Sequence, residues 1–223
     1  MDWSPILISM RTASLSIVFT FFMGILAAWM VVRISHPLVK TILDGIFTIP
    51  LVLPPTVAGF FLLYVFGVKR PVGQFFLEYF SVKIAFSWGA TVLAAVVMSF
   101  PLMYRSARGA FEQVDDTLVQ AARTLGMGEW TIFRKVLLAN AVPGVVSGGV
   151  LAFARGLGEF GATAMIAGNI AGKTRTLPMA VYSEVAAGNM EAACSYVAII
   201  VVIAFLSVFL MNGAMWYSQK KSR

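Results

Sequence analysis

Uncharged segments, each bounded by lysine, arginine, aspartate or glutamate, divide the chain. The five longest cover 12–32, 45–68, 84–104, 136–154 and 192–219, with 21, 24, 21, 19 and 28 residues. A helix needs about 20 residues to cross the hydrocarbon core of a bilayer, where charged side chains are costly. The pattern therefore predicts an all-α, polytopic bundle of about five transmembrane helices, embedded in membrane lipid.

A sixth uncharged segment, 160–172, does not fit this scheme. It has 13 residues, three of them glycine, and is too short to span a bilayer. Irregular backbone at membrane depth is tolerated where protein or a water-filled cavity surrounds it. We therefore predict a re-entrant or short pore-lining segment here.

Three prolines interrupt the second predicted span, at Pro50, Pro54 and Pro55. Each removes a backbone donor and clashes with the preceding turn, so the helix must kink or unwind. Broken helices near the middle of a membrane often line substrate paths. We favour that function for the break over the alternative, a kink that serves packing alone.

The segment between the third and fourth spans has the pattern of two short helices. Asp115 and Asp116 can cap a helix that begins near Thr117, and Gly126 can end it in a left-handed turn. A second helix is predicted to start near Trp130. The apolar positions Leu118, Ala121, Ala122 and Leu125 fall on one face of the first helix. An apolar face in a polar segment indicates docking on a partner, with a helix resting on lipid headgroups as the alternative.

Composition and charge agree with a membrane protein. Hydrophobic residues make up 59% of the chain and charged residues 12%, with a net charge of +7. The basic residues lie at the ends of apolar segments, which is typical of a topology signal and argues against nucleic-acid binding. The basic cluster at 220–223 abuts the last span, so we predict a cytoplasmic C-terminus. Five spans then place the N-terminus outside.

No cofactor, metal or catalytic residue is expected in this chain. Cys194 and His36 are the only cysteine and the only histidine, and we interpret them as a packing residue and a solvated loop residue. The glycines of 168–174 suggest a phosphate-binding loop, but they have three residues between them where that motif needs four.

Arg155 and Glu159 are four residues apart at the outer end of the fourth span. We favour a structural ion pair near the interface. The alternative is that Arg155 contributes positive potential to an anion path.

One sequence in the two-helix segment resembles a known motif. QAARTLG at 120–126, followed after nine residues by VLLA at 136–139, resembles the EAA motif of binding-protein-dependent ABC importer permeases. The spacing of that motif is kept. Gln120 stands where the family has glutamate, so the salt bridge that this glutamate could make with the ATPase is not expected.

Further resemblance extends over nearly the whole chain. PLVLPPTVAG at 50–59 is similar to the second-helix signature of molybdate permeases. LAFARGLGEFGAT at 151–163 and NIAGKTRTLP at 169–178 resemble segments shared by molybdate, tungstate and sulfate permeases. The double proline and the short N-terminus favour molybdate over sulfate.

The resemblance implies a type I ABC importer permease for molybdate, in the inner (cytoplasmic) membrane. It implies one transmembrane domain over 1–223, with a cytoplasmic coupling loop at about 106–135. Two copies would pair around a central path, and a periplasmic or extracellular oxyanion-binding protein would deliver the substrate. Two separate ABC ATPase subunits would hydrolyse ATP, so the chain itself would not be an enzyme. Each would receive one loop through Gln120, Ala121, Ala122, Leu125 and Gly126.

Other functions remain open at this point. A tungstate or sulfate/thiosulfate permease would share these motifs. A non-transporting membrane anchor or receptor subunit would explain the spans and the docking helix, but not the three prolines. A secondary transporter fits least, because the spans contain no carboxylate to carry protons or sodium.

Overall fold

The computed structural model describes the backbone of residues 2–221, with side chains described up to Leu210. Regular structure in these residues is helical. The helices are α1 Ser4–Val32, α2 Pro37–Val52, α3 Pro55–Phe66, α4 Pro71–Phe80, α5 Trp88–Glu112, α6 Asp116–Thr124, α7 Glu129–Ile132, α8 Leu138–Leu157, α9 Gly161–Ile166, α10 Leu177–Ala186 and α11 Met190–Lys221. A π-helical turn, Phe133–Leu137, joins α7 to α8.

The prediction of an all-α bundle with about five spans is confirmed. Four helical segments of the described chain are long and apolar enough to cross a membrane: Ser4–Val32, Trp88–Glu112, Glu129–Leu157 and Met190–Leu210. The fifth candidate is the pair α2 and α3, which meet at a break with a bend of 110°. The basic cluster at 220–223, on which the predicted orientation depends, lies outside the residues whose side chains are described.

The centre of the bundle is formed by α1, α5 and α8. Ala28, Met103 and Tyr104 are fully buried where α1 meets α5, and Phe111 and Phe133 extend the same cluster toward the start of α8. Because lipid is as apolar as these side chains, close packing must hold the helices together.

Buried hydroxyls add hydrogen bonds between α1 and α5. The Thr12 and Thr91 hydroxyls are 2.9 Å apart, and those of Thr20 and Ser99 are 3.0 Å apart. These residues are at most 3% exposed. Polar pairs of this kind stabilise helix association in membranes by about 0.6 kcal/mol each.

Small residues let α8 approach α5 closely. A β-carbon at Gly144 would lie 2.6 Å from the Ala110 β-carbon, and one at Gly148 would collide with the Ser106 β-carbon. Only glycine fits at either position, so the G-x-x-x-G pair fixes the seam between the two helices.

Helices α10 and α11 complete the bundle beside α1, where the Leu177 amide donates to the Ser9 hydroxyl at 2.7 Å. Much of α11 presents apolar side chains outward, as Phe205 does with 67% exposure.

The interpretation of Cys194 as a packing residue was wrong, since its side chain is exposed. Cys194 precedes the inward-facing Tyr196 by two positions, which places it on the outer side of the helix. His36 is exposed before α2, as predicted.

Candidate functional site

Helices α6 and α7 and the turn between them form a projecting unit, residues 116–132, which we call the elbow. The Asp115 carboxylate caps α6 by accepting a hydrogen bond from the Thr117 amide at 2.8 Å. This backbone hydrogen bond lowers the pKa of Asp115 below its ordinary value of 3.8. The predicted start of the helix is therefore confirmed.

Gly126 ends α6 in the predicted left-handed conformation, with a φ of +72°. The Met127 amide donates to the Ala122 carbonyl at 3.1 Å, and the Gly126 amide donates to the Arg123 carbonyl at 2.9 Å. This pair of hydrogen bonds defines a Schellman motif, which fixes the direction in which the chain leaves a helix.

The elbow is attached to the bundle by apolar packing and by one acidic residue. The Glu129 carboxylate accepts from the Arg123 guanidinium at 2.9 Å and lies 3.3 Å from Arg33, at the end of α1. Exposed ion pairs contribute about 0–1 kcal/mol each, so the buried Ile132 and Phe133 supply most of the attachment.

Part of the predicted apolar face of α6 packs against the bundle, and the rest of it is exposed. Ala122 is 4% exposed and packs inward, whereas Leu118 is 47% exposed and Leu125 80% exposed. Gln120 and Ala121 are exposed as well. Trp130, in α7, is 56% exposed and adds an aromatic ring. The elbow is held by a cap and a fixed turn and yet presents leucine and tryptophan side chains outward, which is the character of a docking surface.

The three prolines end one helix and begin the next. Pro50 lies in the last turn of α2, Pro54 is the cap of α3 and Pro55 is its first residue. A first helical position suits proline because its missing N–H has no intrahelical partner there. The Pro54 carbonyl accepts from the Val57 amide at 2.9 Å, so α3 starts at once after the break.

The sixth segment, 160–172, packs directly against this break. It contains the short helix α9, whose Gly161 faces Pro55, where a β-carbon on Gly161 would lie 2.8 Å from the Pro55 β-carbon. Further along, a β-carbon on Gly59 would lie 2.6 Å from the Ala162 α-carbon. These two irregular segments are more than 100 positions apart in the sequence, and no pattern in it indicates that they are in contact.

Arg155 and Glu159 form an ion pair next to α9. Arg155 Nη1 lies 2.6 Å from Glu159 Oε2, and the other Glu159 oxygen accepts from the Ala162 amide at 2.8 Å. The Glu159 side chain is 1% exposed, and α8 ends at Leu157, so the carboxylate lies in the buried turn beyond the helix and not on its outer end. Because Glu159 compensates the charge of Arg155, the geometry favours the structural role.

A charge cluster between α2 and α5 was missed by the sequence reasoning. The Tyr104 hydroxyl donates to Asp44 at 3.0 Å, Arg108 pairs with Asp44, and Glu112 lies 3.0 Å from both Arg108 and Lys40. The four-residue spacings within each helix were a visible signal for this cluster. Among the described residues, no group of three histidine, cysteine, aspartate or glutamate side chains is arranged to hold a metal ion.

Comparison with known proteins gives consistent matches. The family model described as "Binding-protein-dependent transport system inner membrane component" matches residues 20–223. The molybdenum transport system permease protein ModB of Escherichia coli K12 is 44% identical over 222 residues, which cover 99% of this chain and 96% of the relative. The putative molybdenum transport system permease protein YvgM of Bacillus subtilis is 41% identical, covering 94% and 92%.

More distant matches include a second permease protein and a solved structure. The sulfate transport system permease protein CysT of Salmonella typhimurium is 33% identical, over 92% of this chain and 73% of the relative. A solved inward-facing structure of the MetNI methionine ABC transporter has a TM-score of 0.76 with 18% identity, covering 97% of each chain. At that identity the likeness concerns the fold alone.

Proposed function

The chain belongs to the family of binding-protein-dependent transport system inner membrane components, and on this premise we propose that it is the permease subunit of an ABC importer that carries molybdate across the cytoplasmic membrane. Relatives named as molybdenum permeases match it along nearly its whole length. The observation that carries the mechanism is the elbow, an apolar surface held by a Schellman motif at the end of the bundle.

The elbow is proposed to be the element that receives force from a separate ATPase subunit. Gln120, Ala121, Ala122, Leu125 and Gly126 form its first helix and turn, and Leu118 and Trp130 extend its apolar surface. A partner that moves this unit moves α8 as well, because the π-helical turn Phe133–Leu137 connects the two without a flexible linker. Transport requires such rigidity, because a loose loop could not bias the two conformations of the bundle.

The break in the α2–α3 pair is proposed to line the substrate path, together with α9. Pro50, Pro54 and Pro55 supply the irregular backbone, and the close contact between Pro55 and Gly161 holds it in place. Arg155 and Glu159 are proposed to brace the turn before α9 rather than to bind the anion. Their charges cancel, and the Glu159 carboxylate is engaged by the Ala162 amide.

The proposed assembly has two copies of this chain, two ATPase subunits and an oxyanion-binding protein on the outer side. The chain is proposed to be a single transmembrane domain over 1–223, with the loop at 106–135 and the C-terminus in the cytoplasm and the N-terminus outside. ATP hydrolysis takes place in the separate subunits, so this chain is not itself an enzyme.

A sulfate or tungstate permease is the second candidate, favoured by the 33% identity to a sulfate permease protein. The test is reconstitution of the chain with its ATPase and binding protein, followed by uptake of labelled molybdate against competing tungstate and sulfate. We expect ATP-dependent molybdate uptake that sulfate at tenfold excess leaves largely unchanged. Uptake of sulfate in preference to molybdate would overturn the substrate assignment. A complex that binds the ATPase but transports neither anion would favour an anchor subunit.

A further inference from the structure

A solvent-open groove of about 610 Å³ lies between α5, the start of α6 and α8. Its two walls carry small and polar residues at helical spacing. They are Arg105 and Gly109 on α5 with Gln113 at its C-cap, and Asn140, Gly144 and Ser147 on α8. In each helix these positions lie on one face, so the two rows look toward each other across the groove.

Glycines shape this groove. The groove floor is closed where Gly144 lies against Ala110, because a β-carbon there would be 2.6 Å from the Ala110 β-carbon. The upper wall is open at Gly109, where a β-carbon would meet no atom within 4 Å. The groove therefore results from missing side chains above a tight seam and not from a gap between separated helices.

The positive charge of the groove comes from Arg105. Arg108, one turn further along α5, is engaged by Asp44 and by Glu112 at 3.0 Å. Arg105 is exposed, and among the described residues it has neither an ion pair nor a hydrogen bond. Its guanidinium therefore offers five unused N–H donors in a planar fork, which suits the edge of a tetrahedral oxyanion.

We propose that this groove is a low-affinity oxyanion site, with Arg105 as its principal donor, at which the transported anion is held briefly as it leaves the permease. The inference rests on the proposed function, because the proposed orientation places the groove on the cytoplasmic side beside the elbow. The Ser106 hydroxyl and the Gln113 amide line the same space and provide neutral donors. The Asn140 amide also lines it; one of its N–H groups donates to the Val136 carbonyl at 2.7 Å, and the second is left for a ligand. The ligand class is a divalent tetrahedral oxyanion, and molybdate is the member expected from the transport function.

The Asp115 carboxylate on the groove rim keeps this site weak. It lines the same groove and carries a negative charge that opposes an anion, while one of its oxygens accepts from the Thr117 amide. For one unpaired arginine opposed by one carboxylate we expect weak binding, with a dissociation constant on the order of millimolar. Weak binding is what an exit requires, because a site along a translocation path must release its ion.

A cysteine at Gly109 gives a direct test, since that position has free space and is one turn from Arg105. In a Cys194→Ser background, Gly109→Cys is labelled with an anionic and with a neutral methanethiosulfonate in vesicles that hold the permease–ATPase complex. We expect about 10 mM molybdate, at constant ionic strength, to slow the anionic reaction at least threefold. Arg105→Gln should abolish this protection and also slow the anionic reagent relative to the neutral one.

Arg134→Gln is the matched control, because Arg134 is also exposed but does not line the groove. This variant should leave the labelling rates of both reagents and the protection by molybdate unchanged. Protection that survives Arg105→Gln, or that Arg134→Gln removes equally, would overturn the site, as would an absence of protection.

Molybdate uptake by the Cys194→Ser parent, measured in the same vesicles, separates the two proposals. Normal uptake without Arg105-dependent protection rejects only the exit site. Protection in vesicles that take up sulfate but not molybdate supports the groove as an oxyanion site and rejects molybdate as the cargo.

Discussion

Replacing Gly126 with valine tests whether the elbow must be rigid. Gly126 has a φ of +72°, and a β-carbon there would meet no atom within 4 Å. The substitution therefore creates no collision with the rest of the protein. Its effect comes from the local backbone, where a left-handed conformation costs an L-residue about 1–2 kcal/mol, and more when it is β-branched.

This strain should loosen the turn without unfolding the bundle. The left-handed residue allows the Met127 and Gly126 amides to reach the Ala122 and Arg123 carbonyls. A penalty of about 1–2 kcal/mol lowers the ratio of closed to open turn about 5- to 30-fold, since about 1.4 kcal/mol is a factor of ten. We expect Gly126→Val to raise the number of ATP molecules hydrolysed per molybdate transported by at least about fivefold.

The assay measures ATP hydrolysis and molybdate uptake in the same reconstituted vesicles, after the amount of bound ATPase has been determined. Gly126→Asn should remain near the wild type, because asparagine tolerates the left-handed region. Gly128→Ala is the matched control, since Gly128 has similar free space but a φ of −66°. If Gly126→Val transports with the wild-type ratio, or Gly128→Ala uncouples equally, the elbow is not the rigid lever proposed.

Three further predictions concern stability. Arg155→Ala should lower the free energy of unfolding by about 3–5 kcal/mol because it leaves the buried Glu159 carboxylate unpaired. In the double variant Arg155→Ala/Glu159→Gln, thermal unfolding should show a smaller loss of stability. Gly148→Leu should destabilise the α5–α8 seam by about 1–3 kcal/mol, whereas Gly45→Leu, in open space, should change the melting temperature little. The pKa of Asp115 is lowered by its backbone hydrogen bond, so its cap stabilises α6 above about pH 4 and is lost as the pH falls through the folded value. Asp115→Asn should abolish that dependence in hydrogen exchange of α6, and an unchanged acid response would contradict the assignment.

The helical content of the fold could be predicted from the sequence because each span has a local cause. Hydrophobic length fixes α1, α5, α8 and α11, since lipid tolerates few charges. The elbow was also predictable because its causes are local. Its cap at Asp115 and its turn at Gly126 depend on backbone chemistry within a few residues.

The long-range geometry of the site was not available from the sequence. The three prolines indicated a break in the helix. They did not indicate its bend of 110° or the contact of Pro55 with Gly161. The four-residue spacing of Arg155 and Glu159 indicated their pairing, but not that α8 would end between them and bury the carboxylate. These features depend on which helices become neighbours, and tertiary packing decides that.

If a cytoplasmic ATPase drives the bundle through its elbow, the elbow must lie on the cytoplasmic side of the membrane. A single cysteine at Leu125, which is 80% exposed, can be placed in a Cys194→Ser background and labelled with a membrane-impermeant maleimide. We expect labelling in inside-out vesicles, protection by the bound ATPase subunit, and no labelling in intact cells. Labelling in intact cells, with protection absent in inside-out vesicles, would contradict the proposal that the bundle is driven through its elbow from the cytoplasm.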